Sequence, residues 1–350
     1  MKLCRRILPL ALALALLLSG CGMSADGDVS EPAVSVDTSD VSLEDIYVDQ
    51  VELEEIEIED EATALVGAPA ALNTLLLPQA SGTKTAENSR AVIDYSNIRD
   101  GYVMVQFTGT TTRRLKVLVQ GPSYSTASKL RYSYDLTPGQ WTTFPLSDGN
   151  GSYTVTVCEN TDGTKYAQVL SQQFQVELKD EFAPFLIPNQ YVDYASAPET
   201  VAKAAELAGK ETDPLKLVEI VYDFVVENFT YDKQLAAAVK SGYLPVLDNV
   251  LASRKGICFD YAAMMTGMLR SMGVPCKLVT GYVPTGNGKT GYHAWISVWT
   301  EENGWVDGAI YFNGSAWQRM DPTFASSGNS SQAIMKYIGD GSNYSVKYIY

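Results

Sequence analysis

The chain is short of the residues that bind transition metals. It holds one histidine, His293, in 350 residues. A zinc centre with a single imidazole needs cysteines and carboxylates at close ligand spacings, and none are legible. No metal and no cofactor are therefore expected. Beyond the N-terminal region no apolar run is long enough to cross a bilayer. Positive charge is missing from one whole segment: Asp26 to Glu61 contains fifteen acidic residues and no Lys or Arg. That block accounts for the net charge of -15, because the other 26 acidic residues balance the 26 basic ones. The remainder is near neutral, which leaves no electrostatic case for nucleic-acid binding. The glycine-rich stretch Thr285–Gly291 lacks the glycine and Lys-Ser/Thr spacing of a phosphate loop. It reads as a connection between two strands, placed to act as a lid.

What is present begins with a targeting pattern. Lys2, Arg5 and Arg6 precede an apolar run from Ile7 to Leu18, too short for a comfortable span. The run ends in Leu18-Ser19-Gly20-Cys21, which resembles a bacterial lipoprotein signal. The resemblance implies cleavage after residue 20, lipid on Cys21 and an extracytoplasmic protein held at the membrane by that anchor. An ordinary secretory signal is the alternative. Residues 21–89 then read as an acidic tether, self-repelling and extended, with a short apolar patch at Leu72–Leu77. A calcium or cell-wall contact is the competing reading of the acid block, without ligand-loop spacing to support it.

Residues 90–180 read as all-β. Tyr102–Phe107, Leu115–Val119, Tyr153–Val157 and Gln173–Leu178 alternate between turn clusters such as Gly121-Pro122 and Asp148-Gly149-Asn150-Gly151. This spacing suggests a β-sandwich of immunoglobulin or fibronectin type. Residues 181–350 change character. Helices are expected over Pro198–Ala208, from Pro214, over Val246–Ala252 and over Cys258–Met272. Strands follow at Lys277–Val283, His293–Thr300, Gly304–Val306, Ala316–Met320 and Tyr344–Tyr350. Helices followed by an antiparallel sheet make the fold class α+β.

Outside the signal three cysteines remain: Cys158, Cys258 and Cys276. An odd number leaves at least one thiol unpaired. Cys158 and Cys276 either pair or sit apart as small buried hydrophobes. Cys258 follows Gly256 and opens a helix, where unpaired N–H groups and the helix dipole favour thiolate. That dipole is worth only about 0.3–1 kcal/mol at an exposed end, so a larger effect needs an imidazolium partner. His293 opens an aromatic strand, and Asp321 closes a later one before Pro322. A thiol, an imidazole and a carboxylate in this order fit a nucleophile, its base and the orienter of the base. A structural cysteine and an Asp-Pro turn are the plainer readings of two of these residues taken singly.

Three blocks carry a family resemblance. They are Gly256-x-Cys258-x-Asp260-Tyr261-Ala262, then Met268-Leu269-Arg270-x-x-Gly273-Val274-Pro275 through Gly281-Tyr282, and finally Tyr292-His293-Ala294-Trp295 with Trp317-x-x-Met320-Asp321-Pro322-Thr323. Over about residues 200 to 325 the sequence resembles the transglutaminase-like superfamily. The resemblance implies a papain-like α+β core with Cys258, His293 and Asp321 as triad, acting on amide bonds of proteins or peptides, cell-wall peptides among them. Acyl transfer, peptidase or deamidase chemistry, and a non-catalytic surface-binding role all occur within its reach. Cys276-Lys277 departs from the small residue and Arg common in that family. The Cys258 N–H is an expected oxyanion donor; Asn228, Tyr231 and Gln234 are candidates for a second.

The anchor gives the first testable outcome. The mature N-terminus is expected at Cys21, and the protein in the membrane fraction. Cys21→Ala is expected to release or mislocalise it, as N-terminal mass spectrometry and fractionation would show.

Overall fold

The computed structural model describes residues 36–37, 75, 77–125, 128, 130–240, 242–286, 289–300, 304–307, 310–312, 317–319 and 345–350. Cys21, nearly all of the acidic block and Asp321 lie outside the described residues.

The first half of the described chain is built of strands, with one 3-10 turn at Ile98–Asp100. Its elements are β1 (Val36–Asp37), β2 (Thr85–Glu87), β3 (Ala91–Asp94), β4 (Tyr102–Phe107), β5 (Leu115–Gln120), β6 (Tyr132–Leu136), β7 (Thr142–Pro145), β8 (Gly151–Asp162) and β9 (Lys165–Val176). They form two antiparallel sheets, ordered β2-β3-β4-β7 and β1-β9-β8-β5-β6. Period-two alternation turns Val103, Val105 and Phe107 of one sheet, and Val117, Val119, Val155 and Val157 of the other, into a single buried core. The sheets start earlier than the expected boundary at residue 90. Thr85–Glu87 pairs with β3, and the Gly82 N–H donates to Asp94 Oδ2 at 2.6 Å. Two residues of the expected tether also pair, Val36 and Asp37 against the edge of β9.

The second half contains α1 (Pro198–Ala208), α2 (Pro214–Asn228), β10 (Thr230–Tyr231), α3 (Lys233–Ala238), α4 (Leu247–Ser253), β11 (Lys255–Gly256) and α5 (Cys258–Ser271). Then come β12 (Cys276–Gly286), β13 (Lys289–Thr300), β14 (Gly304–Asp307), β15 (Ile310–Phe312), β16 (Trp317–Arg319) and β17 (Ser345–Ile349). Proline at the first position and an aspartate cap start α2, where Asp213 accepts from the Leu215 and Lys216 N–H groups. The cap of α1 comes from another helix: Asp248 of α4 accepts from the Glu199 and Thr200 N–H groups. Every residue of α5 is buried. A helix buried all round needs cover on all sides, and α1, α2, α4, β12 and β13 provide it. The sheet beside it runs β14-β13-β12-β17, antiparallel throughout.

The described residues form one compact unit. The β module and the helical half meet through an aromatic cluster. Tyr132 and Tyr134 of β6 stand against Tyr350 with ring centroids 5.7 and 6.1 Å apart, and Tyr191 lies 4.1 Å from Tyr350. Arg270, on α5 and 2 % exposed, ties the same region together. Its guanidinium donates to the carbonyls of Cys276 at 2.9 Å, Ile187 at 2.8 Å and Tyr350 at 2.6 Å. Burial lowers its pKa to about 10, so it stays charged at neutral pH. Arg270→Met removes three bonds from a charged donor in a closed site. The expected cost is about 3–5 kcal/mol, read as a lower urea midpoint at unchanged slope.

Candidate active site

The approach to α5 is pinned from several sides. β10 and β11 pair in parallel, Thr230 with Lys255 and Tyr231 with Gly256. The Asp232 N–H donates to the Gly256 carbonyl at 2.9 Å. Just before, Arg254 takes a left-handed conformation, φ 51°, and its guanidinium lies over Phe224 and Phe229 at 4.9 and 5.5 Å from the ring centroids. Cation–π attraction of this kind offsets part of the cost of that backbone.

Cys258 is the first residue of α5 and is buried, in the core cluster that also holds Phe259 and Tyr261. Its position in the first turn aims it where helix N–H groups lack intrahelical acceptors. Two residues on, Asp260 is fully buried. Its Oδ2 accepts from the Ile257 N–H at 2.8 Å, and its Oδ1 accepts from the Tyr243 hydroxyl at 2.7 Å. This is the acidic half of a capping box. Gly256 is required by it, because a Cβ at residue 256 would stand 2.5 Å from Asp260 Cβ. Burial raises the Asp260 pKa from 3.8 to about 6, against the two hydrogen bonds, and the nearby Asp232 charge adds to the rise.

His293 lies on β13, directly across from Gly281 of β12, and is buried. α5 packs on both strands, so the element carrying the thiol abuts the element carrying the imidazole. Along β13, Ala294, Ile296 and Val298 enter the core shared with α5, whereas Trp295 packs with Val279 and Ile349 on the alternate face. His293 shares the Trp295 face, with the two rings 6.4 Å apart. At Gly281 that face is closely packed by the Ser345 carbonyl and the Trp295 ring. A Cβ there would collide with the Ser345 carbonyl and approach Trp295 to 2.8 Å. Two of the three expected triad residues therefore come from adjoining elements, and the third, Asp321, lies outside the described residues.

Other expectations resolve individually. Cys158, Cys258 and Cys276 are all free thiols and buried, so Cys158 and Cys276 do not pair. Burial pushes both of those thiols up to about 11, and Cys276 donates weakly to Thr266 Oγ1 at 3.5 Å. The neighbouring Lys277 ammonium lies 3.7 Å from the Trp305 ring centroid. Of the second oxyanion candidates, the Asn228 amide is engaged, donating to the Phe224 carbonyl at 2.9 Å, and Gln234 sits on an exposed stretch of α3. The glycine-rich stretch joins β12 to β13 as expected, with pairing continuing out to Gly286 and Lys289. Among the described residues no cluster of His, Cys, Asp and Glu has the makings of a metal site.

Residues 201–322 match the family model described as the transglutaminase-like superfamily. This segment is a transglutaminase-like domain. Over 119 residues the chain is 33 % identical to a protein-glutamine gamma-glutamyltransferase of Pseudomonas aeruginosa, covering 31 % of this chain and 17 % of that protein. Over 161 residues it is 29 % identical to an uncharacterized protein of Mycobacterium tuberculosis, covering 42 % and 46 %. Among solved structures, red sea bream transglutaminase aligns at 14 % identity and a TM-score of 0.25, over 63 % of this chain and 48 % of that one. The chain thus spans less than half the length of each of these relatives.

The buried acid of the transglutaminase-like domain has a linkage consequence. A carboxyl whose folded pKa lies above its unfolded value contributes most at low pH and loses that contribution as pH rises through about 6. From pH 4 to pH 7 the ionisation of Asp260 is expected to cost up to about 3 kcal/mol. Asp260→Asn lacks this component, so urea unfolding at several pH values should show its stability gaining on wild type over that interval.

Proposed function

We propose that the protein is a cysteine enzyme acting on amide bonds of proteins or peptides, with Cys258 as nucleophile, His293 as general base and Asp321 as orienter of the imidazole. The observation that carries the reading is the placement of Cys258. It is the first residue of the central buried helix, within the matched segment, on an element packed against the strand of the chain's one histidine.

In this reading the Cys258 thiol passes its proton to His293 and the thiolate attacks the substrate carbonyl. The Cys258 N–H holds the developing oxyanion. The imidazolium returns its proton to the departing ammonia or amine, leaving a thioester on Cys258. A second amine then resolves the thioester with formation of a new amide, or water resolves it with release of an acid. Acyl transfer fits the name of the Pseudomonas relative, and the same thioester serves a peptidase or deamidase. Cell-wall peptides are substrates within reach of a protein held at the membrane by lipid on Cys21.

The two β sheets are read as an immunoglobulin- or fibronectin-like support. Strand orders β3-β4-β7 and β9-β8-β5-β6 favour this. So does Tyr153 near the start of β8, whose hydroxyl bonds back to the Leu146 and Gly149 carbonyls in the connection before it.

Incubation with a glutamine-containing protein such as casein and a fluorescent primary amine separates the outcomes. Transfer labels the protein, hydrolysis releases ammonia, and a binding protein does neither. Cys258→Ala is expected to abolish turnover, and His293→Ala to come close to it, because no other imidazole exists. Loss of the orienter in Asp321→Ala is expected to cost up to the order of 10⁴-fold, the penalty seen in a related triad. Undiminished activity in Cys258→Ala would leave a surface-binding role in front.

A further inference from the structure

At the turn before Cys258 a fully buried carboxylate is bound to groups that take no part in the proposed chemistry. We infer that Asp260, held by Tyr243, is a positioning residue that fixes the backbone of the Gly256–Cys258 turn and with it the direction of the Cys258 thiol. The inference rests on the reading of Cys258 as nucleophile and adds to it a residue and a loop that nothing in the triad requires.

Three observations converge on this turn. Asp260 bonds the N–H of Ile257, the residue immediately before the thiol, at 2.8 Å. Gly256 lies so close to the Asp260 side chain that only glycine fits. The other carboxylate oxygen is occupied by a hydroxyl from residue 243, on the segment between α3 and α4, at 2.7 Å. The carboxylate thus spans the turn on one side and an otherwise separate loop on the other. An ordinary helix cap needs only the first bond and sits in water. Asp213 and Asp232, which cap α2 and α3, are of that ordinary kind. Asp260 is buried, which strengthens both bonds and makes their loss expensive. A reacting atom misplaced by about 1 Å costs on the order of 10²-fold in rate. The effect therefore falls on turnover, while binding of the remainder of the substrate is untouched.

The test compares Asp260→Ala, Asp260→Asn and Tyr243→Phe, with Asp213→Asn as an ordinary-cap control. Two readouts are taken: kcat and KM for amine transfer or ammonia release from casein, and the rate of iodoacetamide labelling at Cys258, followed by mass spectrometry on folded protein. Asp260→Ala is expected to lower kcat by about 10- to 100-fold with KM within about twofold, and to change the labelling rate at Cys258. Asp260→Asn keeps an acceptor for Ile257 and a partner for Tyr243, so it should recover most of both readouts. Tyr243→Phe, a change at a half-buried residue that carries the test if Asp260→Ala fails to fold, should fall between. Asp213→Asn should move neither readout. The inference is overturned if Tyr243→Phe matches wild type, if Asp260→Ala loses activity only in proportion to its unfolded fraction, or if folded Asp260→Asn is as impaired as Asp260→Ala. Labelling needs no substrate. Turnover surviving in Cys258→Ala would therefore remove the functional reading, while the labelling rates would still decide the positioning claim.

Discussion

The two halves of the molecule depend on one buried cation. Arg270 sits on the central helix and reaches three carbonyls from three segments: Ile187 after the β module, Cys276 at the start of β12, and Tyr350 beyond β17. A guanidinium carries five donors in a rigid fork, so one side chain can fix the angles between three backbone paths where an apolar residue could only fill space. The arrangement trades a desolvation cost for specificity of docking. Around it Tyr132, Tyr134, Tyr191 and Tyr350 supply the apolar area, and Ser147 Oγ and Tyr191 Oη add hydrogen bonds to the Ile349 and Ser133 carbonyls.

Arg270 and Asp260 stand near opposite ends of the same helix, and both are buried charge-bearing groups, the first bonded to main-chain oxygens and the second to one backbone N–H and the Tyr243 hydroxyl. One sets how α5 sits against the sheets. The other sets how the chain enters α5. Between them Cys276 and Thr266 seal the helix to β12. The candidate nucleophile lies at the end of an element fixed at both termini, which is how a scaffold holds a reacting atom still without placing it on a loop.

Long periodic segments were legible in the sequence. α1, α4 and α5 begin and end within a residue or two of the positions that proline, glycine and apolar spacing indicate. β4, β5 and β13 were legible for the same reason, though β13 begins four residues before His293 because its hairpin with β12 pairs almost to the tip. Of the short elements, β14 and β16 were legible and others escaped. β6, β7 and α3 are four to six residues long, and β2 borrows its stability from pairing with β3. At the site, the residue types and their order could be read, but orientation could not. β13 is buried on both faces, so apolar alternation gives no sign of which face carries His293. Residue type and order alone assign Asp260 no role of its own. Its one signal was its place three residues after the cap position Ile257, and burial of that carboxylate is a tertiary fact.

The position of β17 has a consequence for synthesis. β12 is bordered on one side by its hairpin partner β13 and on the other by β17, whose residues follow β12 by some sixty positions. As the chain emerges, the β module and the helices can form first, while β12 presents an open edge of unpaired N–H and C=O groups. Such an edge templates pairing with other chains. Only when residues 345–350 arrive is it covered, the third acceptor brought to Arg270 and the tyrosine cluster closed. The nascent protein thus passes through a stage in which most of its structure exists but its most adhesive border is bare. A cell would have to shorten that stage or shield it, since contacts of such long range close slowly.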